Sequence, residues 1–216
     1  MTARILWFVK VREVSRLFMI RQPSAAAIDA FLSSQQNATF SYSEVGSTRT
    51  TAPTGYVVDH NRIRLGSGID AFLRAREALE RWQMFDLGWV KLFPQKAAIE
   101  PGSTVAILVR HLGFWSLNAC RVVYGFNEER RSGFAYGTLE DHAERGEERF
   151  SVDWSADDDS VWYDILAFSR PKQWQAQIAL PVSRMLQKKF ARDSKAAMVR
   201  AVCHHKDTET QRHSVF

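Results

Sequence analysis

A chain of 216 residues is long enough for one large domain with a substantial buried core. Its 45% hydrophobic and 12% aromatic residues exclude a disordered or low-complexity protein, and a formal charge of +5 makes it only mildly basic. Two cysteines, Cys120 and Cys203, far apart and in no CxxC pair, argue against a disulfide scaffold or a zinc ribbon.

In chain order, Ile5, Trp7, Val9 and Val11 alternate, but Leu6 and Phe8 interrupt the period of two. Residues 1–20 are therefore read as an N-terminal extension, with Met19 an alternative start. No apolar run is long enough to span a bilayer, and no export signal or cleavage site is evident. With the unpaired cysteines, this gives a cytoplasmic expectation.

Pro23 and Ser24 open a helix that runs to Ser34, with Ile28, Phe31 and Leu32 as its apolar face. Phe40, Tyr42 and Val45 predict a short strand ending at Gly46, followed by a Thr/Pro/Gly-rich loop over 47–55 and a strand over 56–65. Ser67 and Asp70 have the spacing of a capping box, and the helical spacing of Ile69, Phe72, Leu73, Leu79 and Trp82 follows. Strands are predicted over 87–93, 104–111, 119–126, 133–138, 147–154 and 161–170. Short links between them imply antiparallel neighbours.

A long helix closes the chain. Its first turns are placed over 173–180, and Pro181 either kinks it or opens its main segment. Val182, Met185, Leu186, Phe190, Ala197 and Ala201 mark one side, and Arg184, Lys188, Arg192 and Lys195 the other. Residues 21–203 form a single α+β domain on this reading, and 204–216 a polar, flexible tail.

The fold class that follows is α+β: a curved antiparallel sheet of six or seven strands wrapped around a long C-terminal helix. A strongly bent sheet cannot bury its concave face on itself, whereas a helix with one apolar stripe can fill it. Incomplete filling leaves a cavity. This order of elements resembles the helix-grip arrangement of START-like and plant pathogenesis-related lipid and hormone carriers. The blocks PTGYVVDHNRIRLGSG, WQMFDLGW, PGSTVAILVRHLGFWSLNACRVVY, GFAYGTLEDHAERGEERF and AFSRPK together resemble the family of the domain of unknown function 1990, also called uncharacterised protein family 0548. The resemblance covers roughly 23–202 and implies no assigned activity.

Polar chemistry concentrates at 133–150. His142 among acids has the makings of a general base oriented by Glu147 or Glu148, with His142 and Glu147 the candidate catalytic residues; a solvated loop histidine is the plainer reading. Arg121, Tyr136, Thr138, Arg149, Ser169 and Arg170 are the candidate ligand-binding residues. The arginines suit a carboxylate or phosphate, and equally a structural ion pair. One of Glu147 and Glu148 must face inward, since consecutive strand residues point to opposite faces. No HExxH, metal-ligand spacing, GxSxG elbow or complete phosphate loop is present, so no metal and no cofactor is expected.

Three functional readings follow, and whether the protein is an enzyme is left open between them. The first is a binding module for an amphipathic small molecule or lipid in a cavity between sheet and helix. The second is a small cyclase- or hydrolase-like enzyme using His142 or Glu147. The third is an interaction protein docking through the basic face of the last helix, with no specific nucleic-acid partner.

Overall fold

The computed structural model describes the backbone of residues 19–142, 144–171 and 180–213, and the side chains of 19–142, 144–170 and 182–203. Its elements are helix α1 (Ala25–Ser34), strand β1 (Val57–Ser67), helix α2 (Gly68–Glu80), strands β2 (Val90–Phe93), β3 (Thr104–His111), β4 (Phe114–Asn127), β5 (Arg131–Thr138), β6 (Glu144–Trp154) and β7 (Ser160–Pro171), and helix α3 (Leu180–His213). The strands form one sheet in the order β1-β7-β6-β5-β4-β3-β2, antiparallel throughout. β2 to β7 join successive neighbours through short links, while β1 crosses over to pair with β7. The curved sheet packs against α3, which is the helix-grip architecture.

Period-two alternation sorts the side chains. Val105, Ile107, Cys120, Val122, Phe134, Tyr136, Phe150, Val152, Tyr163 and Ile165 line the inner face, with α2 and α3 packed on them. Ala106, Leu108 and Leu117 point outward, where Ile28 of α1 covers them. Full burial of a Phe such as Phe72, Phe134 or Phe150 contributes on the order of 1.5–3 kcal/mol, so the inner cluster is the main store of stability.

Ser24 caps α1, its hydroxyl accepting from Ala27 N–H at 3.2 Å. The capping box expected at Ser67 is not formed. The Ser67 hydroxyl instead accepts from the Arg64 guanidinium at 2.8 Å, and Gly68 N–H donates to the Asp159 carbonyl at 2.9 Å. Gly68 has φ +81°, so the chain enters α2 through a turn that a side chain would strain. The strand expected around residues 40–46 is reduced to one bridge, Phe40 with Leu139. The hydroxyls and amides of this segment are used on other partners, described below.

Pro181 lies in the first turn of α3, where its missing N–H costs nothing. The helix extends to His213, beyond the Cys203 at which its packed part was expected to end. Its buried stripe is Ala191, Ser194, Ala197, Met198 and Val202, whereas Met185 is 50% exposed. Ser194 is tolerated inside because it shares a hydrogen bond with the Tyr163 hydroxyl at 2.9 Å. The alternation at Ile5–Val11 and the helical turns expected from residue 173 lie outside the described residues.

Candidate functional site

Two adjacent carboxyls of β6 define the two faces of the sheet. Glu147 faces outward and is 2% exposed. It accepts from the Tyr42 hydroxyl at 2.7 Å, Gly46 N–H at 2.6 Å, Thr48 N–H at 3.0 Å and the Thr48 hydroxyl. The Thr48 hydroxyl also meets the Tyr124 hydroxyl at 2.7 Å. Arg149, two residues on, donates to the Thr48 carbonyl at 2.8 Å and to Asp164 at 3.2 Å. Asp164 in turn meets His60 Nε2 at 2.6 Å. The outer cluster thus straps residues 42–48 to the middle of the sheet. Its carboxylates are satisfied by several donors each, as buried charges must be.

Glu148 faces inward. Alternation places it with Phe150, Val152 and Trp154, and its described hydrogen-bond partner is the Tyr136 hydroxyl at 2.7 Å. Burial raises its carboxyl from the ordinary 4.5 to about 7; the Tyr136 hydrogen bond works against this, and the charges of Glu144 and Asp59 add to it. The same surroundings hold the Tyr136 phenol well above its ordinary range, with burial the main cause and Glu148 the next. A carboxyl titrating near neutrality beside a protonated phenol can give or accept a proton at physiological pH.

The helix over this site is seated by polar contacts. Arg184 grips Asp59 of β1 with both terminal nitrogens, at 2.5 and 2.8 Å. Ser183 and Gln187 both donate to Glu144 of β6, and Gln187 reaches Ser169 of β7 at 3.1 Å. Between these contacts the packing is incomplete. Val182, Leu186 and Phe190 of α3 are only half-buried, and so are Glu148 and Ala167 on the sheet beneath. From Ala191 onward the inner stripe is closed. The first turns of α3 are thus held largely by polar contacts, whereas the rest of the helix is held by its apolar stripe.

The sheet divides the residues named from the sequence. Tyr136 and Ser169 lie on the inner face, bonded to Glu148 and to Gln187 of α3. Thr138 is buried where β5 meets β6, its hydroxyl 2.6 Å from the Ser41 hydroxyl and accepting from Gly146 N–H at 3.0 Å. Glu147 and Arg149 lie in the outer cluster. Arg121 donates to the carbonyls of Ala38, Gln35 and Gln36 at 2.7, 2.7 and 2.9 Å, satisfying orphan acceptors past the end of α1. Arg170 lies over the Tyr56 ring at 4.4 Å. His142 Nδ1 accepts from Glu144 N–H at 3.0 Å, a contact within its own loop. Cys120 is fully buried, and burial pushes its thiol well up, which leaves it unreactive.

Asp59, Gln187 and Ser194 are inner polar residues that sequence reasoning did not name, and Glu148 was named there only as one of two acids able to face inward. Only Glu148 carried a local signal, its spacing of two from Phe150. A separate groove of about 360 Å³ lies between the end of α2 and the β4–β5 hairpin, lined by Leu79, Ile99, Phe126 and Phe134, with Glu80 its one titratable side chain. Among the described residues no group of His, Cys, Asp and Glu is arranged to hold a metal ion, and no helix is long and apolar enough to cross a membrane.

Comparison with known proteins adds kinship. A UPF0548 protein of Dictyostelium discoideum is 35% identical over 207 residues, covering 86% of this chain and 96% of its own length. A UPF0548 protein of Deinococcus radiodurans is 37% identical over 198 residues, covering 86% and 98%. Among solved structures, a norcoclaurine synthase point mutant of Thalictrum flavum in complex with a transition state analogue has a TM-score of 0.48 at 15% identity, covering 72% of this chain and 99% of that one. Human STARD10 has a TM-score of 0.44 at 12% identity, covering 89% and 86%. The family model described as Domain of unknown function (DUF1990) matches residues 41–197, and with the two relatives it shows that the chain belongs to the DUF1990, or UPF0548, family.

Proposed function

We propose that the protein binds an amphipathic small molecule or lipid between the concave face of the sheet and the first turns of α3. The supporting observation is the change in packing along α3. Its inner stripe is closed from Ala191 onward and half-open from Val182 to Phe190, over Glu148 and Ala167. A hydrocarbon tail would complete the apolar surface left by Leu186, Phe190 and Ala167, gaining about 25 cal/mol for each Å² removed from water. The polar end would lie toward Glu148, Tyr136 and Ser169, and the polar seat of the helix would form the rim. Apolar walls with a few convergent polar groups are the usual makeup of a small-molecule site.

Native mass spectrometry of freshly purified protein tests this. A co-purifying mass of lipid size is expected in the wild type and absent from Ala167→Phe, whose ring occupies the space while suiting a strand. Because Ala167 is half-buried, the variant is expected to keep a cooperative melt. Clean apo protein whose α3 amides were equally protected over 182–190 and 191–202 would remove the reading, since the space would then be filled by the protein itself.

A further inference from the structure

The space beneath α3 has a charge character that narrows what it would hold. Of the ionised side chains bordering it, two are already matched. Asp59 has both oxygens on Arg184, and Glu144 has Ser183 and Gln187. Arg184 is committed to that pair and is not directed to Glu148. Glu148 is left with one described hydrogen-bond partner, the neutral Tyr136 hydroxyl. The arginines singled out from the sequence, Arg121, Arg149 and Arg170, lie on the opposite face of the sheet with their own partners.

The walls around Glu148 are aromatic. The rings of Tyr136 and Phe150 have centroids 5.4 Å apart, and Phe150 and Phe190 6.3 Å. Aromatic faces carry negative potential and attract a cation, more strongly where water is excluded. A sheltered carboxylate without a cation is costly, and a matching charge offsets that cost. An anionic headgroup would meet the opposite: Glu148 itself, with Glu144 and Asp59 close by.

We propose that the ligand enters with a cationic amine, its ammonium donating to Glu148 against the Tyr136 and Phe150 rings and its apolar part under α3. This rests on the reading that the space beneath α3 is a binding site. The elevation of the Glu148 carboxyl by burial fits a group that lacks a cation in the free protein.

The test uses the full chain and three probes that differ only in the head: decylammonium chloride, 1-decanol and sodium decanoate. Each is titrated calorimetrically below its micelle concentration at pH 8. Decylammonium is expected to bind at least tenfold more tightly than either of the others. Glu148→Gln is expected to lower its affinity at least tenfold, to about that of decanol, so that the preference among the three heads is lost. Decanol or decanoate binding as tightly as the ammonium, or a preference that survives in Glu148→Gln, would overturn the amine assignment and leave the binding reading standing. No binding of any of the three would overturn both. Should Glu148→Gln lose its cooperative melt, the wild-type ranking of the three probes decides alone.

Discussion

Glu147 and Glu148 are neighbours in sequence, yet one is saturated with donors and the other shares a single phenol. The difference has a pH signature. The folded state holds the Glu148 proton up to about 7, whereas the unfolded carboxyl releases it near 4.5. Between those values the folded state binds more protons, so stability falls as pH rises through this window. Above it the full penalty is present; below it both states are neutral and the penalty vanishes. Glu148→Gln is therefore expected to stabilise the protein by up to about 3 kcal/mol at pH 8 and by almost nothing at pH 4, as read from urea melts at the two pH values. A gain of equal size at both would show that charge is not the cause. Alternation divided this pair between the two faces but left open which one points inward; the structure places Glu148 on the face of Phe150, Val152 and Trp154. The partners were not legible. Tyr42 and Thr48 reach Glu147 from about a hundred residues upstream, and no local spacing announces a contact of that kind.

At the scale of elements, strand existence was well marked and strand ends were not. Thr104–His111 matches the expected bounds, and β4 begins at Phe114, before the expected residue 119, because its hairpin with β3 is tight. Residues 40–46 combine β-favouring side chains with an outer position that offers almost no free strand edge, so they act as a strap. That strap depends on Gly137. A Cβ there would stand 2.1 Å from the Tyr42 hydroxyl oxygen and 2.9 Å from its ring. Gly137→Ala is expected to displace Tyr42 from Glu147 and to cost about 2–4 kcal/mol in a denaturant melt. A loss under 0.5 kcal/mol would show that the strap is not tied there. Helix α3 divides at Phe190. Hydrogen exchange is expected to be distinctly faster over 182–190 than over 191–202, because polar contacts on a half-open segment resist local opening less than a packed stripe. Sequence periodicity predicted one uniform apolar stripe, since 3.6-residue spacing shows which side is apolar and not whether the sheet reaches it.

For the whole molecule, the order of elements sufficed to anticipate a bent antiparallel sheet around a terminal helix, because few arrangements bury both apolar surfaces. The candidate site was less legible. Its residues come from β1, β5, β6, β7 and α3, and the sheet separates side chains that crowd together in the 133–150 stretch. One property of the topology reaches past the finished structure. β1 pairs with β7, which lies about a hundred residues later in the sequence. At ribosomal speeds of about 5–20 residues per second, β1 waits roughly 5–20 s for that partner to be made. The remaining strands can meanwhile zip hairpin by hairpin, so β1 joins a sheet that is otherwise assembled. Within the sheet this is the one long-range closure, the kind of step that slows folding most and that leaves a strand edge unpaired until it is made.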